Sequence, residues 1–192
     1  MNESCQIFSE DIFLSTGISL LLDKMFKTSP EFKRKKYHFI LLSSVSLFNL
    51  AQLYHRLDPQ KAYIVIGNTA ACAMLNGTGL VIAKFINISM SVSDIEYELH
   101  MLLKSFITNE VSPTPTKLAI LTLRERIVLK YITMGINPFV MARMLGMSIK
   151  AISTHKRSIM KKLGVSSNQQ LLVKSHLYMT FYNKKTDKQI NR

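Results

Sequence analysis

The chain has 192 residues, 47% of them apolar, and a formal charge of +13. Such a length is comfortable for two domains, and the apolar content suffices for two modest cores. The two cysteines, Cys5 and Cys72, form no CxxC or Cys/His cluster. That pattern excludes a structural zinc site and a disulfide scaffold and fits a reducing, cytoplasmic compartment. The polar, slightly acidic start (Asn2, Glu3, Glu10, Asp11) has no basic region of the secretory kind.

The charge is not spread evenly. Up to Pro115 ten Lys/Arg face ten Asp/Glu, and from Thr116 onward fifteen Lys/Arg face only Glu125 and Asp187, so the whole surplus lies in the last part of the chain. A neutral half joined to a basic half suggests a sensing or docking module attached to a polyanion-binding one.

In chain order, Ile7–Phe8 begins a short strand, followed by the acidic pair Glu10–Asp11. Ile12, Phe13, Ile18, Leu21, Leu22 and Met25 repeat at helical spacing, and this helix ends before Ser29–Pro30. The charge run Lys33 to Lys36 reads as a solvated loop, Phe39 to Leu42 as a buried strand, and Leu47 to Leu57 as a helix with Leu50, Leu53 and Leu57 on one face. No charge falls between Lys61 and Lys84, a run long enough to span a bilayer. Its middle carries Asn68, Asn76, Gly77, Thr78 and Gly79, costly in lipid, so two strands (Tyr63–Ile66 and Leu80–Ile82) around a polar loop explain it better. Ser93 caps a further helix in a box with Glu96, with Ile95, Leu99, Leu102, Leu103 and Phe106 as its apolar stripe. Alternating strands and helices predict a mostly parallel α/β sheet over residues 1–110. Residues 111–117, with Pro113 and Pro115, read as a linker, and 118–192 as a second, all-α domain.

In that domain Thr122 and Glu125 form a capping box, with Ile127 or Val128, Leu129 and Ile132 buried. Gly135 ends this helix. Asn137 caps the next, with Pro138 first in it and Met141, Ala142 and Leu145 inward. Gly146–Met147 makes a tight turn. Ser148 caps a third helix with Ile152, Ile159 and Leu163 inward and Lys150, Ser153, Thr154, Lys156, Arg157, Lys161 and Lys162 outward. Ser166 or Asn168 opens a fourth helix through Leu171, Leu172, Leu177 and Phe181. A helix with one buried stripe and a face of Lys, Arg, Ser and Thr suits a DNA major groove; the plainer reading is a solvated basic face.

The residues Leu121-Thr122-x-Arg124-Glu125-Arg126-x-Val128-Leu129, then Gly135, Ala142, Leu145, Ser148, Ile152, His155, Ile159 and Lys162-Leu163-Gly164-Val165 resemble the LuxR-type (NarL/FixJ) DNA-binding domain. The resemblance runs in register, without a gap, from Leu121 to Val165. It implies a four-helix helix-turn-helix domain whose third helix reads double-stranded DNA. The implied base contacts are Ser153, Thr154 and Arg157. The implied phosphate contacts lie near Ser148, Lys150, Ala151 and Lys156, with Lys161 on the same basic face. Val173 and Leu177 fall where the family carries a dimer contact, and His155 is a packing and hydrogen-bonding residue. Two departures stand out. Phe139 and Val140 replace a polar pair, as incidental apolar surface or as a docking point for a partner. Ala151 replaces a frequent threonine.

Such domains often follow a phosphoacceptor receiver. Glu10 and Asp11 match a receiver's metal-binding acids and Lys84 its sheet-end lysine, or all three are ordinary surface charge. The strand that should present the phosphoacceptor aspartate ends instead in Ser43–Ser44, and the segment before it is too short for a complete strand–helix unit. The first domain thus resembles a truncated, degenerate receiver that takes no phosphate. No catalytic group, cofactor site or metal site is legible. Gly77-Thr78-Gly79 lacks the phosphate-loop lysine and spacing, and His38, His55, His100, His155 and His176 are scattered. The expectation is a bacterial, cytoplasmic, nucleoid-associated, non-enzymatic transcription regulator. It would bind DNA as a homodimer, or as a heterodimer with another regulator, with RNA polymerase as a further candidate partner. A membrane-tethered regulator using the Lys61–Lys84 run is the rival.

Overall fold

A computed structural model of the chain describes residues 4–43, 56–58, 60–110 and 119–190. They fall into two compact units, one built on a β-sheet and one on the helices after Ala119, with which Met74–Gly79 is grouped.

The sheet unit runs β1 (Cys5–Phe8), α1 (Ile12–Thr28), a 3₁₀ turn (Pro30–Arg34), β2 (Tyr37–Leu42), β3 (Ala62–Gly67), α2 (Thr69–Leu75), β4 (Val81–Asn87) and α3 (Val92–Ile107). The strands are all parallel and lie in the order β1-β2-β3-β4. Strands β2 and β3 read as near-continuous apolar runs, and both are buried along almost their whole length. Lack of alternation is what burial on both faces demands. Alternate side chains then serve opposite faces. Phe39, Leu41, Ile64 and Ile66 pack with Ile18, Leu22, Met25 and Phe26 of α1 and with Ile95, Leu99 and Leu103 of α3. Helices α1 and α3 therefore cover the same face of the sheet. Each such side chain contributes about 1.5–3 kcal/mol on burial.

A doubly wound sheet of the 2-1-3-4-5 kind, stripped of its second strand and the helix after it, becomes four strands in sequential order. Between α1 and β2 this chain has only the 3₁₀ turn and a few flanking residues. The first unit is thus a receiver-like α/β fold lacking one strand–helix unit.

Several details differ from the sequence reading. Ile12 and Phe13 are 76% and 91% exposed, so the buried stripe of α1 begins at Ile18. These two residues occupy the first turn, where Asp11 caps the helix by accepting from the Leu14 N–H at 2.9 Å. The run after Lys61 contains the short helix α2 between its strands rather than a simple loop. Among the described residues no helix is long and apolar enough to cross a membrane. Strand β4 continues through Asn87, and its register against β3 slips between Tyr63 and Ile64, so Ile64 pairs with Lys84. Helix α3 is capped by Ser91, which accepts from the Asp94 N–H at 3.1 Å, and not by Ser93. Glu96, expected in a capping box, instead pairs with Lys24 at 2.9 Å. Of the helix expected over Leu47–Leu57, residues 47–55 lie outside the described residues, as does the linker 111–117.

The helical unit comprises α4 (Leu123–Thr133), α5 (Pro138–Leu145), α6 (Ile149–Leu163) and α7 (Asn168–Ile190). The caps follow the predicted residues. Thr122 Oγ1 accepts from the Glu125 N–H at 3.2 Å while Glu125 accepts from the Thr122 N–H at 2.7 Å. Asn137 accepts from the Val140 N–H at 2.9 Å, with Pro138 at the first helical position. Gly146 ends α5 at φ +61°, a left-handed conformation that a side chain would strain. Two residues later Ser148 accepts from the Ala151 N–H at 3.1 Å and starts α6. Helix α7 begins at Asn168, with Ser167 accepting from the Gln170 N–H at 3.1 Å as its cap. The core joins Val128, Leu129, Met141, Ala142, Ile152, Ile159, Leu163 and Leu171. Of the two alternatives on α4, Val128 is buried and Ile127 exposed. The Tyr178 hydroxyl donates to the Ala119 carbonyl at 2.9 Å, and Tyr182 stacks on Tyr178 and bonds the Arg126 guanidinium. These contacts pin α7 to the start of the unit.

Candidate nucleic-acid interface

Helix α6 turns by about 100° per residue. At that rate Lys150, Ser153, Thr154, Arg157 and Lys161 share one arc, opposite Ile152, Ile159 and Leu163. All five are exposed, and the other three are buried. The Arg157 Nε donates to the Ser153 carbonyl at 3.4 Å, which lays the guanidinium along the exposed face. Thr154 donates its hydroxyl to the Lys150 carbonyl at 3.0 Å and keeps its lone pairs free to accept. Ser148 is spent on the cap, so anion contact there falls to backbone N–H groups at the start of α6. Ala151 is half-buried beside it. Lys156 sits off this arc. It is half-buried on the edge of a shallow pocket lined by Ile132, Pro138, Met141, Ile152 and Asn168. His155 is half-buried as well.

Lys162 departs from its expected place on the outer face. Its Nζ binds Glu125 Oε2 at 2.7 Å, and Ser158 donates its hydroxyl to Glu125 Oε1 at 2.7 Å. Ser158 and Lys162 are one turn apart and face α4 from the flank of α6. Glu125 is 3% exposed. Burial by itself would push its carboxyl up, but the hydrogen bonds from Lys162, Ser158 and Thr122 outweigh burial and hold it at about 2. One carboxylate therefore closes the capping box of α4 and ties it to the last turns of α6. The sequence signal for half of this was the box itself. The other half, Ser158 and Lys162, needed the crossing of two helices. The consequence is electrostatic. Between Thr116 and Asp187 the chain has one acidic residue, and it is buried and neutralised. Among the described residues Lys150, Arg157 and Lys161 of the α6 face take part in no ion pair.

In the sheet unit, the residues matched to a receiver's acid site lead elsewhere. The Asp11 carboxylate caps α1. Its pKa lies below the usual range, chiefly through the Leu14 N–H bond and then the Ser43 hydroxyl. Glu10 and Ser43 are exposed. Lys84, expected after the last strand, stands inside β4 and pairs with Glu98 of α3 at 3.1 Å. Among the described residues no three His, Cys, Asp or Glu side chains converge as a metal site would require. Burial, and then Asp23, push the Cys5 thiol up to about 12.

Residues 119–175 match the model of the luxR family of bacterial regulatory proteins. They form a LuxR-family helix-turn-helix domain. The fold of the whole chain is similar to that of the two-component response regulator RcsB in its complex with DNA. The identity is 20%, the alignment covers 91% of this chain and 98% of that one, and the TM-score is 0.51. A structure of two RcsB dimers bound to two parallel DNAs is similar at the same identity and TM-score, with 93% and 98% covered. No curated protein matches the chain.

Within the LuxR-family domain, Val173 and Leu177, which the resemblance assigns to a dimer contact, are both buried in the single chain. Phe139 is 65% exposed on the outer side of α5, with Val140 beside it. The polar pair is thus replaced by open apolar surface.

Proposed function

We propose that this chain is a sequence-specific, DNA-binding transcription regulator that acts without phosphorylation. The observation that carries the reading is the disposition of charge in the helical unit. Its single acid up to Asp187 is internal, and Lys150, Arg157 and Lys161 share the outer arc of α6 with the short hydroxyls of Ser153 and Thr154. Cations bind phosphates at long range, and Arg157 with Ser153 and Thr154 reads base edges. Phosphate contacts come from Lys150, Lys161, Lys156 and the α6 start at Ser148 and Ala151. Residues 1–110 act as a regulatory or dimerisation domain, 111–117 as a linker and 118–192 as the DNA-binding domain. The protein works in the bacterial cytoplasm, associated with the nucleoid, as a dimer with its two α6 helices in successive major grooves about 34 Å apart.

Independence of phosphorylation is supported by the residues at the sheet edge. Ser43 follows β2 where a phosphoacceptor would stand, Asp11 is spent on a cap, and Lys84 is paired inside its strand. Incubation with acetyl phosphate should leave the intact mass unchanged. An acid-labile adduct on this chain would overturn that part of the reading.

In vitro selection of DNA by the purified full chain, at two salt concentrations, tests the main reading. An enriched inverted repeat is expected. Arg157→Ala should lose about 1–3 kcal/mol at one base pair, whereas Lys156→Ala should weaken all sequences alike. Equal loss on selected and random DNA for Arg157→Ala would remove it from base readout. A second reading, a co-regulator that pairs with another LuxR-type protein, is favoured by the exposed Phe139 and Val140. Selection that enriches no sequence until a second regulator is added is its signature.

A further inference from the structure

The sheet has two edges, and they are built differently. Strand β4 forms one of them. Lys84 is exposed in its middle, and its register against β3 slips between Tyr63 and Ile64. A charge and an irregularity are devices that keep an edge from pairing with another chain. Strand β1, Cys5-Gln6-Ile7-Phe8, forms the other edge. It carries no charged residue, and its register against β2 is regular from Cys5 to Phe8. In the 2-1-3-4-5 order a further strand lies outside β1, and that is the strand this chain lacks.

One bond fixes which backbone groups of β1 face outward. The Ser4 carbonyl accepts from the Tyr37 N–H at 2.8 Å. Successive residues of a strand turn their N–H and C=O groups to alternate sides. Ser4, Gln6 and Phe8 therefore address β2, and Cys5 and Ile7 address the outside. No described residue bonds these outward groups. They are self-complementary. Two copies of β1 related by a two-fold axis at Gln6 run antiparallel, and each Cys5 stands opposite Ile7 of the second copy. Both are hydrogen-bonded pairs, which satisfies every outward N–H and C=O of the two residues. The two Gln6 residues meet on the axis with Cα atoms about 4.5 Å apart. Gln6 is exposed and uncharged, and its amide both donates and accepts, so the two amides can bond each other. Charge selects the same occupant. Two copies repel through the helical unit, which carries the whole surplus, whereas residues up to Pro115 balance ten Lys/Arg against ten Asp/Glu. We infer that two copies of this chain associate by pairing their β1 strands across a two-fold axis at Gln6, joining two four-stranded sheets into one. An isologous interface of this kind closes at two copies. The inference gives the dimer proposed above its surface, and it rests on that reading only in requiring a dimer.

Analytical ultracentrifugation of the full chain, without DNA, measures the association. Wild type is expected to be dimeric. Cys5→Pro removes one outward N–H from each copy and none from the sheet, at the first residue of an edge strand, where proline is tolerated. Cys5→Ala is its control for the lost thiol. Cys5→Pro should raise the dimer dissociation constant roughly tenfold over Cys5→Ala, because each dimer loses a bond from both copies. Gln6→Lys and Gln6→Glu put like charges face to face at an exposed position. Each should weaken the dimer about fivefold, and an equimolar mixture of the two should restore wild-type affinity. An unchanged unfolding midpoint shows that a variant folds, and if Cys5→Pro does not, the two Gln6 variants decide. A monomeric wild type would overturn the inference. Equal affinities for Cys5→Pro and Cys5→Ala, or a mixture no tighter than its components, would do the same. A monomer can still enrich a single half-site in DNA selection, so failure of strand pairing and failure of the DNA-binding reading are told apart.

Discussion

The two units treat charge in opposite ways. In the sheet unit, acids and bases are balanced across residues 1–115, and lysines meet carboxylates between elements, Lys24 with Glu96 and Lys84 with Glu98. In the helical unit one acid serves the whole surface between Thr116 and Asp187, and it is turned inward. The first unit's pairs are partly exposed and individually contribute little. The second unit's pair is buried, and removing one partner is costly. Net charge alone does not reveal this difference, because Glu125 and Lys162 cancel in a residue count whether their pair is buried or exposed. The comparison is broken most sharply at that residue. Glu125→Ala should cost about 3 kcal/mol of stability, since it removes a capping partner and two charge-assisted bonds at once. Urea denaturation of the full chain, with hydrogen exchange localising the loss to α4 and α6, measures it. Glu96→Ala in the sheet unit should change stability by less than about 0.5 kcal/mol. Equal costs would erase the contrast.

Acid sharpens the same contrast. The Glu125 carboxyl is held near 2 in the folded protein, against an ordinary value of 4.5. A carboxyl with a depressed folded value stabilises the fold fully above the unfolded value and loses that contribution as pH falls through the folded one. The helical unit should therefore weaken between about pH 4.5 and pH 2, by about 3 kcal/mol over the window. Glu125→Gln should start lower in stability and respond less to pH there. A parallel pH slope in wild type and Glu125→Gln would mean that other carboxyls carry the acid response.

Much of this molecule was legible in its sequence, where local rules decide the outcome. The caps at Thr122, Asn137 and Ser148, the stop at Gly146 and the buried stripe of α6 follow from side chains bonding their own backbone and from a period of 3.6. Strands β2 and β3 were legible because burial on both faces leaves an unbroken apolar run. What stayed hidden depends on elements meeting. Lys162 reads as one more solvent-facing lysine until α4 lies against the flank of α6 and presents Glu125. Lys84 reads as following a strand that stops at Ile82, because alanine and then a charge after three large apolar residues look like an end. The strand instead runs on to Asn87, with a slip in register between Tyr63 and Ile64. Ile12 and Phe13 fit the helical period of α1, yet period does not say where along a helix the sheet begins to cover it.

The smallest expected effect concerns the first turn of α3, where two serines compete for one role. The sequence pattern Ser93–Glu96 fits a capping box, and so does Ser91–Asp94. Ser91 has the role. Its backbone is extended, its hydroxyl oxygen accepts from the Asp94 N–H at 3.1 Å, and the Asp94 carboxylate accepts from its hydroxyl at 2.7 Å. Moving the cap to Ser93 would free Val92 and Ser93 from the helix and leave the stripe from Ile95 to Leu103 starting in the first turn. Glu96 would then have to choose between the cap and Lys24. Ser91→Ala should therefore cost about 1 kcal/mol, and Ser93→Ala, inside the first turn and exposed, close to nothing. Ser91→Gly should cost less than Ser91→Ala, because glycine at a cap leaves the helix end open to water. Chemical denaturation resolves differences of this size when the slopes agree. A larger cost at Ser93 than at Ser91 would move the start of α3 by two residues and return Glu96 to the capping box.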